Sequence, residues 1–520
     1  MNAIIVRRWA VACAMLAVPV ALFGASSAPQ VKTDSGVVEG KDDGVVHTFL
    51  GIPYAAPPVG ELRWKPPQPA MKWDGVRKAT EFGAHCMQGK VYGDMNFRDA
   101  GGSEDCLTLN VWVPTKGPSA KLPVMVWIYG GGFAAGTTSE VRQDGTYLAQ
   151  QGVVVVSMNY RLGVFGFFTH PELAKESGRN AAGNYGFLDQ TAALQWVQRN
   201  IAAFGGDPGN VTIFGESAGS FSVSAQMASP LAKGLFHKAI GESGAAFFNH
   251  GLKFPSVAER MEKDAKLAGD KLGTKTLADL RAVPAEKLME PFIPPQSEGF
   301  DFEPCVDGYF LPESASAIFA AGRQSDVPLL AGWNHDEDIF AIVFNPQKPT
   351  AASMKEKAQK DFGDKAAEFL RLYPVDTDEH VLRSAIDYAS DDFISYSTWE
   401  WMEWQGRTGK QPIFRYRFDL ASPSDGKGPA LGAYHSMEIP YVFGQLDSKA
   451  RPEDHAVSEQ MQKYWSNFAR SGDPNGPGLP KWPAYSAASG WQVMFLDATS
   501  AARKDELRER YLFLAGAWEK

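Results

Sequence analysis

Ser217 sits in the run Val211-Thr-Ile-Phe-Gly-Glu-Ser-Ala-Gly-Ser220, where an apolar strand pattern passes into Gly-x-Ser-x-Gly and then into small, helix-compatible residues. This is the pattern of a nucleophile elbow. Gly215 and Gly219 leave room for a tight strand-to-helix turn that holds the serine hydroxyl clear of the sheet, above a helix N-terminus whose dipole favours developing negative charge. The chemistry this offers is acyl transfer through serine. It requires a base for the Oγ proton, an acid to orient that base, and N–H donors for a tetrahedral oxyanion. Gly130-Gly131-Gly132-Phe133 directly follows an apolar strand pattern and supplies donors of the right kind, since glycines free their N–H groups to converge on one point. Gly131, Gly132 and Ala218 are the expected oxyanion donors.

Such groups have to be held by strands and helices. Short apolar runs at 123–129 and 153–159 predict strands covered on both faces. Between 189 and 204, Ala193, Trp196, Val197, Ile201 and Phe204 fall at helical spacing, and Gly205-Gly206 stops the helix before the elbow strand. That is one right-handed βαβ crossover. Further strands are predicted at 327–331, 412–418 and 493–496, and a helix through Val457, Met461, Tyr464, Trp465 and Phe468. The stretches 250–325 and 346–410 read as helical, polar insertions over the end of a sheet. The fold class is therefore α/β, with a mostly parallel central sheet. No linker divides the chain.

Its 520 residues, 44% hydrophobic and 21% charged, have the composition of a globular protein with a large core. Residues 1–28 carry Arg7 and Arg8, an apolar stretch and small residues before Pro29, which predicts a secretory leader and export to the periplasm or beyond. Taking its two arginines from the 51 Lys and Arg leaves 49 against 60 Asp and Glu, a net charge of −11 for residues 29–520, which form a single catalytic domain. An acidic chain of this kind is no nucleic-acid binder by charge. Of the three cysteines beyond the leader, Cys86 and Cys106 would close a surface loop in an oxidising compartment, with Cys305 left as a buried thiol; the alternative is that all three are free.

A set of motifs spans nearly the whole chain beyond the leader: 49–60 with Leu62-Arg63-Trp64, Ser103-Glu-Asp-Cys-Leu-Thr-Leu-Asn110, Asn159-Tyr-Arg-Leu-Gly163, Phe204-Gly-Gly-Asp-Pro208 and Phe214-Gly-Glu-Ser-Ala-Gly219. Together they resemble the type-B carboxylesterase family, which includes the cholinesterases. The resemblance implies an α/β-hydrolase fold, a Ser-Glu-His triad and hydrolysis of small to medium carboxylic esters without metal or organic cofactor. The acid falls in Gly332-Trp-Asn-His-Asp-Glu-Asp338, where the family writes Gly-x-Asn-x-Asp-Glu-Gly, so Glu337 is the matching residue and Asp336 its competitor. Nine histidines compete for the base. His435, in the segment 432–444, matches the family's catalytic histidine and satisfies the chain order Ser, acid, His. Ser243 resembles a family serine that supports the triad from behind.

One departure bears on the turn that carries the acid and two bear on substrate. Asp338 stands where the family has glycine, and Tyr129 where many esterases have histidine; the triple-glycine loop is associated in the family with tolerance of bulky alcohols. The loop between Cys86 and Cys106 holds no tryptophan, so cation recognition by an aromatic face is unsupported there. Trp333, Phe340, Phe344, Phe393, Trp399, Trp401 and Trp404 are candidates for the entrance or for the core. An amidase or thioesterase would use the same machinery. A non-catalytic interaction protein of this family would be expected to have lost a triad member, and none is lost here.

Overall fold

The computed structural model describes residues 28–116, 121–247, 254–274, 276–423, 429 and 431–518. The leader expected at residues 1–28 thus lies outside the described residues except for Ala28.

Eleven strands form one sheet: β1 (Lys41–Asp42), β2 (Val46–Pro53), β3 (Thr108–Pro114), β4 (Leu122–Ile128), β5 (Val154–Met158), β6 (Gly206–Glu216), β7 (Lys238–Glu242), β8 (Leu329–Asn334), β9 (Ile413–Phe418), β10 (Gln492–Leu496) and β11 (Ala501–Lys504). Their order across the sheet is β11-β10-β9-β8-β7-β6-β4-β5-β3-β2-β1. From β5 through β4 and β6 to β10 every pairing is parallel; the pairings among β1, β2, β3 and β5 and that of β10 with β11 are antiparallel. This is the mixed sheet expected when crossover helices cover the middle and hairpins close the edges. β4, β5 and β7 are buried at every position, so any polar group on them must find a partner inside the protein. Trp127 on β4 shows the cost of that rule being met: its indole N–H donates to Gln143 Oε1 at 2.7 Å while its ring packs against Phe214 and Phe443.

The crossover into β6 is helix α1 (Tyr185–Asn200), continued by a 3-10 turn to Phe204 and ended by Gly205 in the left-handed region at φ 83°. α2 (Ala218–Ala228) follows β6 at once. Gly219 is fixed by packing there: a Cβ on it would lie 1.9 Å from Ile128 O, so only glycine lets α2 run against the end of β4. The insertion 346–410 is helical as predicted, with α3 (Ala351–Phe362), α4 (Ala366–Leu372), α5 (Asp378–Ser390) and α6 (Tyr396–Thr408), the last two joined by a π-helical turn, Asp391–Ser395. The insertion 250–325 is less helical than expected. Helices end at Phe292, a non-helical segment runs to Ser314, and only Ala315–Ala320 is helical after it. Pro294, Pro295, Pro304 and Pro312 interrupt this stretch and account for the difference.

Cys86 and Cys106 form a disulfide, and Cys305 is a buried thiol. Among the described residues no helix is long and apolar enough to cross a membrane.

Candidate active site

Ser217 stands at the junction of β6 and α2 with φ 54° and ψ −124°, a conformation that L-residues rarely adopt. The turn is held by neighbours: Ser217 N–H donates to Glu242 O at 2.9 Å, and Phe221 N–H to Ser217 O at 2.9 Å. The oxyanion candidates lie alongside. Gly131 (φ 107°) and Gly132 (φ 62°) follow β4, and a Cβ on Gly131 would meet Ala135 O at 2.2 Å. A Cβ on Gly132 would strike Phe300, 2.5 Å away, with Tyr92 Oη 3.2 Å off. Tyr92 belongs to the disulfide loop, which therefore does bring an aromatic ring to the site, although not a tryptophan. Ala218 opens α2, where its N–H points out of the helix start.

β8 ends at Asn334, and Glu337 lies in the turn beyond it. Glu337 Oε2 is 2.6 Å from His435 Nδ1, while its Oε1 accepts from Ser243 Oγ at 2.5 Å and from Asn334 N–H at 2.6 Å. Both carboxylate oxygens are thus committed and the side chain has one available pose. Asp336 is engaged elsewhere: it pairs with Arg383 at 2.6 Å and accepts from Ala433 N–H at 3.0 Å, tying the Glu337 turn to the segment that carries His435. His380 and His455 are exposed, His380 bound to Asp376.

The chain motif gave Glu216 no role, yet its carboxylate occupies the other side of the imidazole. Glu216 Oε1 lies 3.3 Å from His435 Nε2 and accepts from Ser436 Oγ at 2.6 Å. Among the described residues no hydrogen bond joins Ser217 Oγ to His435. Burial pushes the Glu216 acid up to about 7 against the pull of the neighbouring imidazolium. For His435, burial lowers the pKa, but the carboxylates of Glu216 and Glu337 outweigh it and drive the imidazole well upward, to about 10. The resting proton therefore favours the imidazole. Asp338, where glycine was expected, precedes the short helix Ile339–Val343, and burial raises its carboxyl to about 6.

The aromatic candidates separate by burial, with Trp404 half-buried against the core between the two groups. Trp333, Trp399 and Trp401 are core, whereas Phe340, Phe344 and Phe393 are 41%, 60% and 36% exposed around the site. Phe393 stands edge-on to His435 with ring centroids 5.2 Å apart, and Phe340 packs on Phe344 and Tyr434. Tyr129 is fully buried and stacks on Tyr160 at 4.5 Å, so it braces the glycine loop from below and leaves the backbone donors free.

A mostly parallel sheet with a serine elbow at the end of a central strand, next to Glu216 beside a carboxylate-bound histidine, is the architecture of the α/β-hydrolase class. The sequence model of the carboxylesterase family matches residues 27–513, and the chain belongs to that family, whose members hydrolyse small-molecule carboxylic esters. It is similar to fumonisin B1 esterase of Sphingopyxis macrogoltabida, 39% identical over 87% of this chain and 84% of that protein. It is also similar to para-nitrobenzyl esterase of Bacillus subtilis, 36% identical over 92% of this chain and 97% of that one. Among solved structures, a Geobacillus stearothermophilus carboxylesterase superposes with a TM-score of 0.80 at 35% identity, covering 94% of this chain and 99% of its own.

Proposed function

We propose that Ser217, His435 and Glu337 are the nucleophile, base and orienting acid of this esterase, and that the N–H groups of Gly131, Gly132 and Ala218 hold the oxyanion. The 2.6 Å contact of Glu337 with His435 Nδ1 carries this reading, because it turns Nε2 towards the elbow, where it lies 3.3 Å from Glu216, the residue before Ser217. The Ser217 Oγ proton passes to Nε2 as the Oγ–C bond forms; the C–O bond to the alcohol then breaks and the alcohol leaves with that proton. Water repeats the steps on the acyl-enzyme and releases the carboxylic acid. A fluorophosphonate inactivator should form a single adduct, mapped by mass spectrometry to the peptide carrying Ser217; an adduct on another serine would overturn the assignment.

Glu216 tunes the base. An anionic Glu216 favours the imidazolium, which cannot accept the serine proton, so activity should rise with pH as His435 loses its charge. Glu216→Gln removes the largest of the negative neighbours, lowers the pKa of His435 and moves the acidic limb of kcat/KM to lower pH by about 1–3 units. A kcat/KM profile on p-nitrophenyl butyrate measures this, and an unmoved limb would remove Glu216 from the account.

The reading extends to export. Residues 1–28 act as a cleaved leader, and residues 29–520 work as one catalytic unit outside the cytoplasm. N-terminal sequencing of protein recovered from periplasm or medium should begin at Pro29; recovery only from cytosol, with Met1 retained, would reverse it.

A further inference from the structure

We propose that Ser436 is a positioning residue: its hydroxyl holds the Glu216 carboxylate at a fixed stand-off from the imidazole, facing His435 Nε2 without closing on it. The inference rests on the triad reading above and deepens it. Two carboxylates flank the imidazole on unequal terms, since Glu337 Oε2 lies 2.6 Å from Nδ1 whereas Glu216 Oε1 stands 3.3 Å from Nε2. Charge-assisted N–H···O bonds run at about 2.7–2.9 Å. The Nδ1 side is closed and the Nε2 side is left open.

Ser436 is what keeps it open. Its Oγ donates at 2.6 Å to Glu216 Oε1, the same oxygen that faces Nε2. The other oxygen is backed by the glycine loop, where a Cβ placed on Gly130 would lie 2.9 Å from Glu216 Oε2. The carboxylate is pinned on one side and walled on the other. Ser436 does this from a backbone at φ 67°, a conformation that suits glycine and that residues with a side chain rarely adopt. A side chain kept at such a position points to use.

The stand-off matters because Nε2 has two duties. It must be free to take the Ser217 proton, and it must then carry that proton as imidazolium beside the tetrahedral intermediate. A carboxylate closed on Nε2 would hold a proton there and leave Ser217 without a base, whereas one removed altogether would give the imidazolium no support on that side. Other ionisable groups surround the pair. Glu337, Asp338 and Glu438 face the imidazole, and Glu337, Glu438, Glu242 and Arg142 face Glu216, with the phenols of Tyr92 and Tyr416 near it. None of these is bonded to Ser436 among the described residues, so loss of the hydroxyl acts through Glu216.

The test is the pH profile of kcat/KM on p-nitrophenyl butyrate for the wild type, Ser436→Ala and Ser436→Gly, and for Glu216→Gln alone and combined with each. Freed of the hydroxyl, Glu216 closes on Nε2 and favours the imidazolium, so both Ser436 variants should move the acidic limb to higher pH by about 0.5–1 unit. Below the limb that is a loss of about 3- to 10-fold in kcat/KM. Glu216→Gln moves the limb the opposite way, and adding either Ser436 change to it should move the limb no further, because the restrained group is gone. Ser436→Gly deletes the same oxygen while relieving the backbone, so it decides the matter even if Ser436→Ala fails to fold. A limb that Ser436→Gly leaves unmoved or lowers overturns the proposal, as does a Ser436 variant that still shifts the limb in the Glu216→Gln enzyme; the triad reading survives both results. A limb unmoved by Glu216→Gln itself would instead remove the tuning of the base by Glu216, and this proposal with it.

Discussion

Ser217→Ala is expected to reduce kcat on p-nitrophenyl butyrate by about a million-fold, the scale on which serine hydrolases lose activity when the nucleophile goes. Nothing else in the site can replace its oxygen, since the imidazole has no acyl acceptor to activate. The change should leave the fold intact. No hydrogen bond of Ser217 Oγ is formed among the described residues, and the turn is held by backbone bonds to Glu242 and Phe221 that alanine retains. The serine hydroxyl therefore adds nothing to the strained turn that alanine would lose. Circular dichroism and Tm should match the wild type, with residual turnover at the level of oxyanion stabilisation alone. Turnover within about tenfold of the wild type would end the assignment of Ser217.

Glu337→Gln should be nearly as severe, with kcat down by about 10⁴-fold, for a different reason. The carboxylate serves two masters. Its Oε1 is fixed by Ser243 Oγ and Asn334 N–H, which both donate, so the single oxygen of a glutamine amide is drawn to that side. The amide NH₂ then faces His435 Nδ1 and forces that nitrogen to accept. Nε2 must carry the proton, and a protonated Nε2 cannot take one from Ser217. Asp336→Asn provides the contrast. Its carboxylate holds Arg383 and the Ala433 N–H, so its loss should lower Tm while kcat stays within a small factor of the wild type. If the two variants lose kcat equally, the acid is misassigned.

The motif-bearing parts of this site were legible because their chemistry constrains local sequence. The elbow needs two glycines at fixed offsets, the donor loop needs glycines after a strand, and the acid and base must follow in chain order. Glu216 sits inside the elbow motif, but nothing in a linear motif shows that a side chain on the last residue of β6 reaches a histidine from the far end of the chain. Asn334 stands in the acid motif, but a linear motif does not show that its backbone N–H holds Glu337 while its side chain donates to Tyr434 O and Glu438 in the segment that carries His435. The aromatic residues near 333–404 were ambiguous because ring spacing has no direction; only packing separates buried Trp399 and Trp401 from exposed Phe393. The expectation of helix through 250–325 weighed its polarity above its prolines, and the prolines prevailed.

The π-helical turn Asp391–Ser395 aims the ring that stands beside the base. Between α5 and α6 the helix never stops, but Tyr396 N–H reaches back five residues to Asp391 O rather than four, so this turn holds one residue more than an α-helical turn would. Phe393 lies in that turn, against His435. A gain or loss of one residue here can be absorbed as a wider or tighter turn, with the helices on either side keeping their own registers. A one-residue change of length at this point would re-aim the ring beside His435 and leave the sheet untouched.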